Sequence, residues 1–380
     1  DLYTHDTGDE IIQATAQVLV DSFEEKTLIA RLTADEFAIA LTLDKTATAD
    51  NLTNKILKNV QKVHKIKGKS IQITVSVGVS MTIDESTSLN TLLGNANTAM
   101  YQAKSLGGNC CEHYTQEMTT NLLDKRKLDD DLKHAIKNGE FEPYFQPQID
   151  AQTDTIVGME ALVRWIHPKL GIIYPDRFIP YAEESGLIID IDRIMMKKSM
   201  QIIMSWEKQY SDTLKLSLNL SAVNLESENF IQELKNSLIQ TNFNAKNLEL
   251  EMLESQIMKD QESSITLLHE LKELGISISI DDFGTGYSSL SALKKLPITK
   301  LKIDKSFVDN LPYDKDDVAI VETIIALANA LKLKLIAEGV ENKEQKDFLV
   351  AHKCPTIQGY YYSKPLSQKD FKEFMIKFPN

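Results

Sequence analysis

Ser277-Ile-Ser-Ile-Asp-Asp-Phe-Gly-Thr-Gly-Tyr-Ser-Ser-Leu290 is a short alternating run that ends in two adjacent aspartates and a glycine-rich turn. Ile278 and Ile280 share one face of a strand, and Gly284 and Gly286 permit backbone turns that a bulkier residue resists. Asp281 and Asp282 therefore stand where a strand becomes a loop. An isolated Asp-Asp pair before Phe-Gly reads as turn or helix-cap chemistry. The reading changes because polar residues recur in the same way along the chain.

Outward from this stretch, strand patterns run over Glu142–Ile149, Ile156–Arg164, Leu216–Leu220, Leu248–Met252, Lys300–Asp304, Leu333–Glu338 and Thr356–Tyr360. Amphipathic helical stretches such as Arg193–Trp206, Ser264–Leu274 and Val318–Leu331 separate most of them. Strands alternating with helices predict a (β/α)8 barrel, in which chemistry comes from the carboxyl ends of several strands. The polar residues placed there are Glu160, Asn219, Glu251, Asp281, Asp282, Lys302 and Glu338. Two carboxylates at 4 Å repel by about 4 kcal/mol at an effective dielectric of 20, so converging acids need protons or cations. All-oxygen donors without clustered cysteine or histidine favour Mg2+ or Mn2+, and so many acids suit two ions.

Composition limits the alternatives. The 380 residues accommodate a small domain followed by one of barrel size, and 42% hydrophobic residues suffice for packed cores. A net charge of -13 argues against a DNA or RNA polymer as partner, since phosphate contacts need a basic surface. Cys110, Cys111 and Cys354 have no zinc-ligand spacing, which points to a reducing compartment. No apolar run has the length of a membrane span, so the segment is expected to be cytoplasmic. It begins at Asp1 inside what reads as a domain, and any sensor or membrane attachment is expected upstream.

The carboxy-terminal region resembles the EAL family of cyclic di-GMP phosphodiesterases. The matching motifs are YFQPQI from Tyr144, EALVRW from Glu160, NLSAVNL from Asn219, the Asp281-Asp282 stretch, LPITKLKIDKSFV from Leu296, AEGVE from Ala337 and QGYYYSKPL from Gln358. The resemblance implies that Glu160, Asn219, Glu251, Asp281 and Asp282 hold two metal ions. It assigns Lys302 and Glu338 to the attacking water, and Gln146, Arg164 and Gln358 to the substrate. Glu254, Asp304 and Glu341 would support them, and Ca2+, looser in geometry, would inhibit. The alternative is a cyclic di-GMP or GTP receptor without turnover.

The first part of the chain resembles the GGDEF family of diguanylate cyclases through Gly8-Asp9, ARLTADEF from Ala30, TVSVGVS from Thr74 and AMYQAKSLGGN from Ala99. It lacks the family's opening strand. Its turn reads Thr33-Ala34-Asp35-Glu36-Phe37, with Thr33 and Ala34 where the family has two glycines. Added β carbons narrow the conformations open to a hairpin that must approach a nucleotide. The organisation expected is a degenerate GGDEF-like α/β domain with an antiparallel sheet at 1–113, a helical connector at 114–135 and the barrel at 136–380. Leu122, Leu123, Leu128, Leu132 and Ile136 form the connector's apolar face. The first domain would then regulate rather than synthesise, with GTP as a possible ligand, and the connector and the loop after Asp282 would serve a homodimer.

Overall fold

The computed structural model describes residues 5–23, 27–33, 35–43, 48–66, 69–82, 87–206, 214–227, 229–259, 261–284 and 293–378. The chain divides into two compact units, Asp1–Lys127 and Leu128–Asn380. Among the described residues no helix is long and apolar enough to cross a membrane.

In the first unit a helix over His5–Ser22 and another over Ala49–Val60 pack through Leu19, Ile56 and Val60. Strands β1 (Leu28–Arg31) and β2 (Phe37–Ala40) form an antiparallel hairpin, as do β3 (Val63–Ile66) and β4 (Lys69–Gln72). β5 (Val77–Val79) pairs in parallel with β6 (Cys111–His113). The alternating stretch from Ile71 to Val79 thus does not form one strand but is interrupted at residues 73–76. Gly78 is obligatory, because a β carbon there would fall 2.0 Å from the Ala96 carbonyl of the helix Leu89–Ser105.

The helix Gln116–Asn138 spans the boundary at Lys127. Leu132 and Ala135 are fully buried against Phe141, Trp165 and Phe178, with Leu128 and Ile136 packed around them. Leu123, expected on that apolar face, is 58% exposed.

The second unit is a closed barrel. β7 (Phe141–Asp150), β8 (Thr155–His167), β10 (Lys215–Asn219), β11 (Leu248–Leu253), β12 (Ser277–Phe283), β13 (Lys300–Ile303), β14 (Lys334–Ala337) and β15 (Thr356–Ile357) form the circuit, which β8–β10 pairing completes. β9 (Gly171–Ile173) extends β8 as a hairpin outside it. β7 runs antiparallel to both neighbours. Its link to β8 is only residues 151–154, too short for the crossover a parallel pair requires. From β10 onward the circuit is parallel.

Strand alternation decides what lines the barrel. Leu216 and Leu218 of β10, Leu250 and Met252 of β11, and Leu301 and Ile303 of β13 join the core under the surrounding helices. Burying each such side chain contributes about 1.5–3 kcal/mol. The intervening Ser217 and Asn219, Glu249 and Glu251, and Lys300 and Lys302 consequently face the lumen.

Candidate active site

Lys302 is the hub of the lumen. It is fully buried, and its Nζ lies 2.6 Å from Glu338, 3.1 Å from Asp281 and 3.7 Å from Glu160, with its tightest contact to Glu251. These partners come from β8, β11, β12 and the residue after β14, so only the closed circuit brings them together. Burial alone would drive the ammonium's pKa down, but Glu160, Glu251 and Glu338 outweigh it and hold the lysine charged.

The acids respond differently to the same environment. Burial pushes Glu160 up, yet Lys302 and hydrogen bonds from Gln358 and Asn219 bring it below the ordinary carboxylate range. Its Oε1 accepts from Asn219 Nδ2 at 2.7 Å and its Oε2 from Gln358 Nε2 at 2.6 Å. Glu251 lies well above the usual value, since burial and the neighbouring Glu160 and Asp281 exceed the effect of Lys302. Glu251 Oε1 is buried with no hydrogen-bond partner among the described residues. Glu338 is pushed up to about 8 by burial and by Asp281 and Glu160, against Lys302.

Asp281 and Asp282 would point to opposite faces of a regular strand. A register shift between Ile280 and Phe283 and a left-handed φ of 51° at Asp282 bring both toward the site. Carboxylate oxygens of Asp281, Asp282 and Glu338 lie within 4.8 Å of one another, as do those of Glu160, Glu251 and Glu338. Burial, Asp281 and Asp304 raise Asp282 to about 6.

Glu254 holds the start of the next loop: its Oε2 accepts from Gly284 N at 3.2 Å. Gly284 has φ 102°, and a β carbon there would meet Phe307 at 3.1 Å, so this turn requires glycine. Residues 285–290 of the quoted stretch and the two that follow, in the loop expected in a dimer contact, lie outside the described residues.

Asp304 caps the helix Lys305–Val308 and meets Asp282, rather than Lys302. Glu341 pairs with Lys305 at 2.5 Å. Arg164 is buried with its guanidinium 5.7 Å from the Tyr144 ring and 5.1 Å from the Tyr174 ring. Among the described residues no carboxylate lies within ion-pair distance of it. Gln146 donates to the Ser363 carbonyl at 3.1 Å. Gln358 is 4% exposed, and both of its N–H groups go to protein, at Gln146 and Glu160.

Below this layer lies one the strand-end reading missed. Lys300 donates to Glu249 at 2.5 Å, Ser217 donates to the same oxygen at 3.0 Å, and Gln148 reaches Ser217. Glu249-Leu-Glu251 and Lys300-Leu-Lys302 repeat polar residues at a period of two, the signal that both members of each pair share the lumen face.

In the first unit, Leu32 N donates to the Glu36 carbonyl at 2.9 Å and Thr33 Oγ1 to Glu36 Oε2 at 3.3 Å. Asp35 is exposed, and Phe37 starts β2. Ala34 lies outside the described residues. Lys104 stands 5.8 Å from the Tyr101 ring.

Comparison with known proteins follows this layout. The EAL domain family matches residues 129–365, and the family described as diguanylate cyclase, GGDEF domain, matches residues 1–110. The cyclic di-GMP phosphodiesterase NbdA of Pseudomonas aeruginosa is 33% identical over 371 residues, covering 98% of this chain and 47% of the relative. The bifunctional diguanylate cyclase/cyclic di-GMP phosphodiesterase MucR of the same organism is 34% identical over 366 residues, covering 96% and 53%. The chain spans about half the length of the curated relatives it matches. The solved MucR phosphodiesterase in complex with cyclic di-GMP aligns with TM-score 0.62 and 37% identity over 64% of this chain and 99% of that one.

Proposed function

Because the chain belongs to the EAL family, with a GGDEF domain ahead of the EAL domain, we propose that it hydrolyses cyclic di-GMP to the linear dinucleotide pGpG at the acid-lined barrel. The observation that carries this reading is the convergence of carboxylates on buried Lys302. Glu160, Glu251, Asp281, Asp282 and Glu338 with one ammonium carry a formal charge of −4 when ionised, the charge that two divalent cations neutralise. Glu160, Asn219, Glu251, Asp281 and Asp282 would hold Mg2+ or Mn2+, and the unpartnered Glu251 oxygen fits a role as ligand. Such ions, when bound, act as Lewis acids on the phosphate and lower the pKa of water.

The chain's own groups do the rest. Arg164, held between two tyrosines and free of a described carboxylate, forks onto a substrate phosphate. Gln146 presents its remaining amide capacity to a guanine edge. Glu338, pushed up to about 8, takes the proton of the attacking water in its ionised form, and Lys302 offsets the negative charge that develops on phosphorus-bound oxygens. Gln358 directs an N–H at Glu160.

The test is incubation of purified protein with cyclic di-GMP and Mg2+ or Mn2+, followed by chromatographic separation of the products. Linear dinucleotide supports the reading; tight binding without turnover makes the protein a receptor, and the absence of both binding and turnover overturns both readings.

The amino-terminal domain regulates and makes no cyclic di-GMP. Thr33 and Ala34 replace the two turn glycines that leave room for a nucleotide. GTP is its proposed ligand and a homodimer its proposed assembly. GTP with metal should yield no cyclic product, GTP should change the hydrolysis rate, and light scattering should report a dimer.

A further inference from the structure

The buried polar layer beneath the acids has a direction. The Lys300 ammonium only donates and the Glu249 carboxylate only accepts, so the Ser217 hydroxyl hydrogen points to Glu249 and leaves an oxygen lone pair free. Gln148 Nε2 donates to that Ser217 Oγ at 3.4 Å and to Gln358 Oε1 at 3.2 Å. With its oxygen turned to Gln148, Gln358 directs Nε2 at Gln146 Oε1, 3.1 Å away, and at Glu160 Oε2, 2.6 Å away. The opposite amide orientation would set oxygen against oxygen at Glu160 and at Gln146. Gln148 is 1% exposed and Ser217 fully buried, so water does not substitute for either partner.

We propose that Gln148 is a positioning residue: with Ser217 and the Lys300–Glu249 pair it fixes the Gln358 amide so that an N–H faces Glu160, and so holds that carboxylate ready for a divalent cation. The inference rests on the proposed metal-dependent hydrolysis. Gln148 touches neither substrate nor cation; it acts through Gln358.

The experiment uses the full chain with Mn2+ as the calorimetric probe and cyclic di-GMP hydrolysis as a second readout. Gln148→Leu keeps the volume and removes the donor. Loss of an orienting partner of a metal ligand costs about 10–100-fold. Because Gln148 acts one contact further out, through Gln358, Mn2+ affinity and kcat should fall by the lower end of that range, about 10-fold, while KM stays near wild type. Gln148→Glu, which sets an acceptor against Gln358 Oε1, should lose more than the leucine variant, an ordering that packing alone does not produce. If Gln148→Leu does not fold, Ser217→Ala carries the test, with a smaller loss in the same direction. Wild-type Mn2+ affinity and kcat in a folded Gln148→Leu or Ser217→Ala protein overturn the proposal. Wild-type protein that binds no Mn2+ instead overturns the proposed function, a distinguishable result.

Discussion

Replacing Lys302 by methionine removes the only ammonium among the described contacts of Glu160, Glu251, Asp281 and Glu338 while conserving volume. The gross Coulomb attraction to Glu338 at 2.6 Å is about 6 kcal/mol at an effective dielectric of 20, much of it offset by desolvation of the lysine. Breaking a buried ion pair typically costs about 3–5 kcal/mol net, which for a unit of this size lowers Tm by about 6–20 °C. The sign with pH is fixed by the acids left behind. Glu338 and Glu251 already titrate above the ordinary range, and without the ammonium they rise further. Groups whose folded pKa is raised stabilise at low pH and lose that contribution as pH rises through the folded value, and Glu160, which Lys302 holds below the ordinary range, gives up its own stabilisation once the ammonium is gone, so the penalty should be present near about pH 6 and grow towards about pH 9. Saturating Mn2+ should recover more Tm in the variant than in wild type, because the cation supplies the missing charge. Differential scanning calorimetry in chelator and in Mn2+ reads all three effects. A Lys302→Met protein within about 2 °C of wild type at the higher pH without metal would refute the view that this lysine neutralises the cluster.

Other outcomes follow from the same geometry. Asp281→Asn or Asp282→Asn should lower kcat by orders of magnitude with a smaller effect on substrate affinity, measured by steady-state kinetics and equilibrium binding; full activity in either variant would remove these residues from the chemistry. Ca2+ should compete with Mn2+ and inhibit, seen as a rise in the Mn2+ concentration for half-maximal rate. Asp192, raised to about 6 by burial despite donors from Ser221 and Asn224, should make wild type lose stability relative to Asp192→Asn as pH rises from about 4 to 6, followed by urea unfolding.

How much of this was legible in the sequence varies with the physical origin of each feature. Alternation at Ile278 and Ile280, and the acids at strand ends, pointed to a barrel and to Glu160, Glu251, Asp281, Asp282, Lys302 and Glu338, because a period of two fixes which face a side chain takes. The antiparallel β7 followed from a short link that the strand list did not weigh. That adjacent Asp281 and Asp282 both reach the site depends on a bulge and a left-handed residue, which no propensity announces. Asp304 caps a helix as well as meeting Asp282, and Glu341 pairs with Lys305, contacts that local backbone direction decides. The Gln148–Ser217–Glu249–Lys300 layer needed strand register before its members could be seen to meet.

The central claim, that water opens the phosphodiester of cyclic di-GMP at the Lys302-centred acids, is tested most directly by a single-turnover reaction in 18O-labelled water with Mn2+. The account predicts linear dinucleotide carrying one heavy oxygen in its terminal phosphate by mass spectrometry, and none in chelator. Cyclic di-GMP recovered intact from the protein, or linear product without the label, would contradict it.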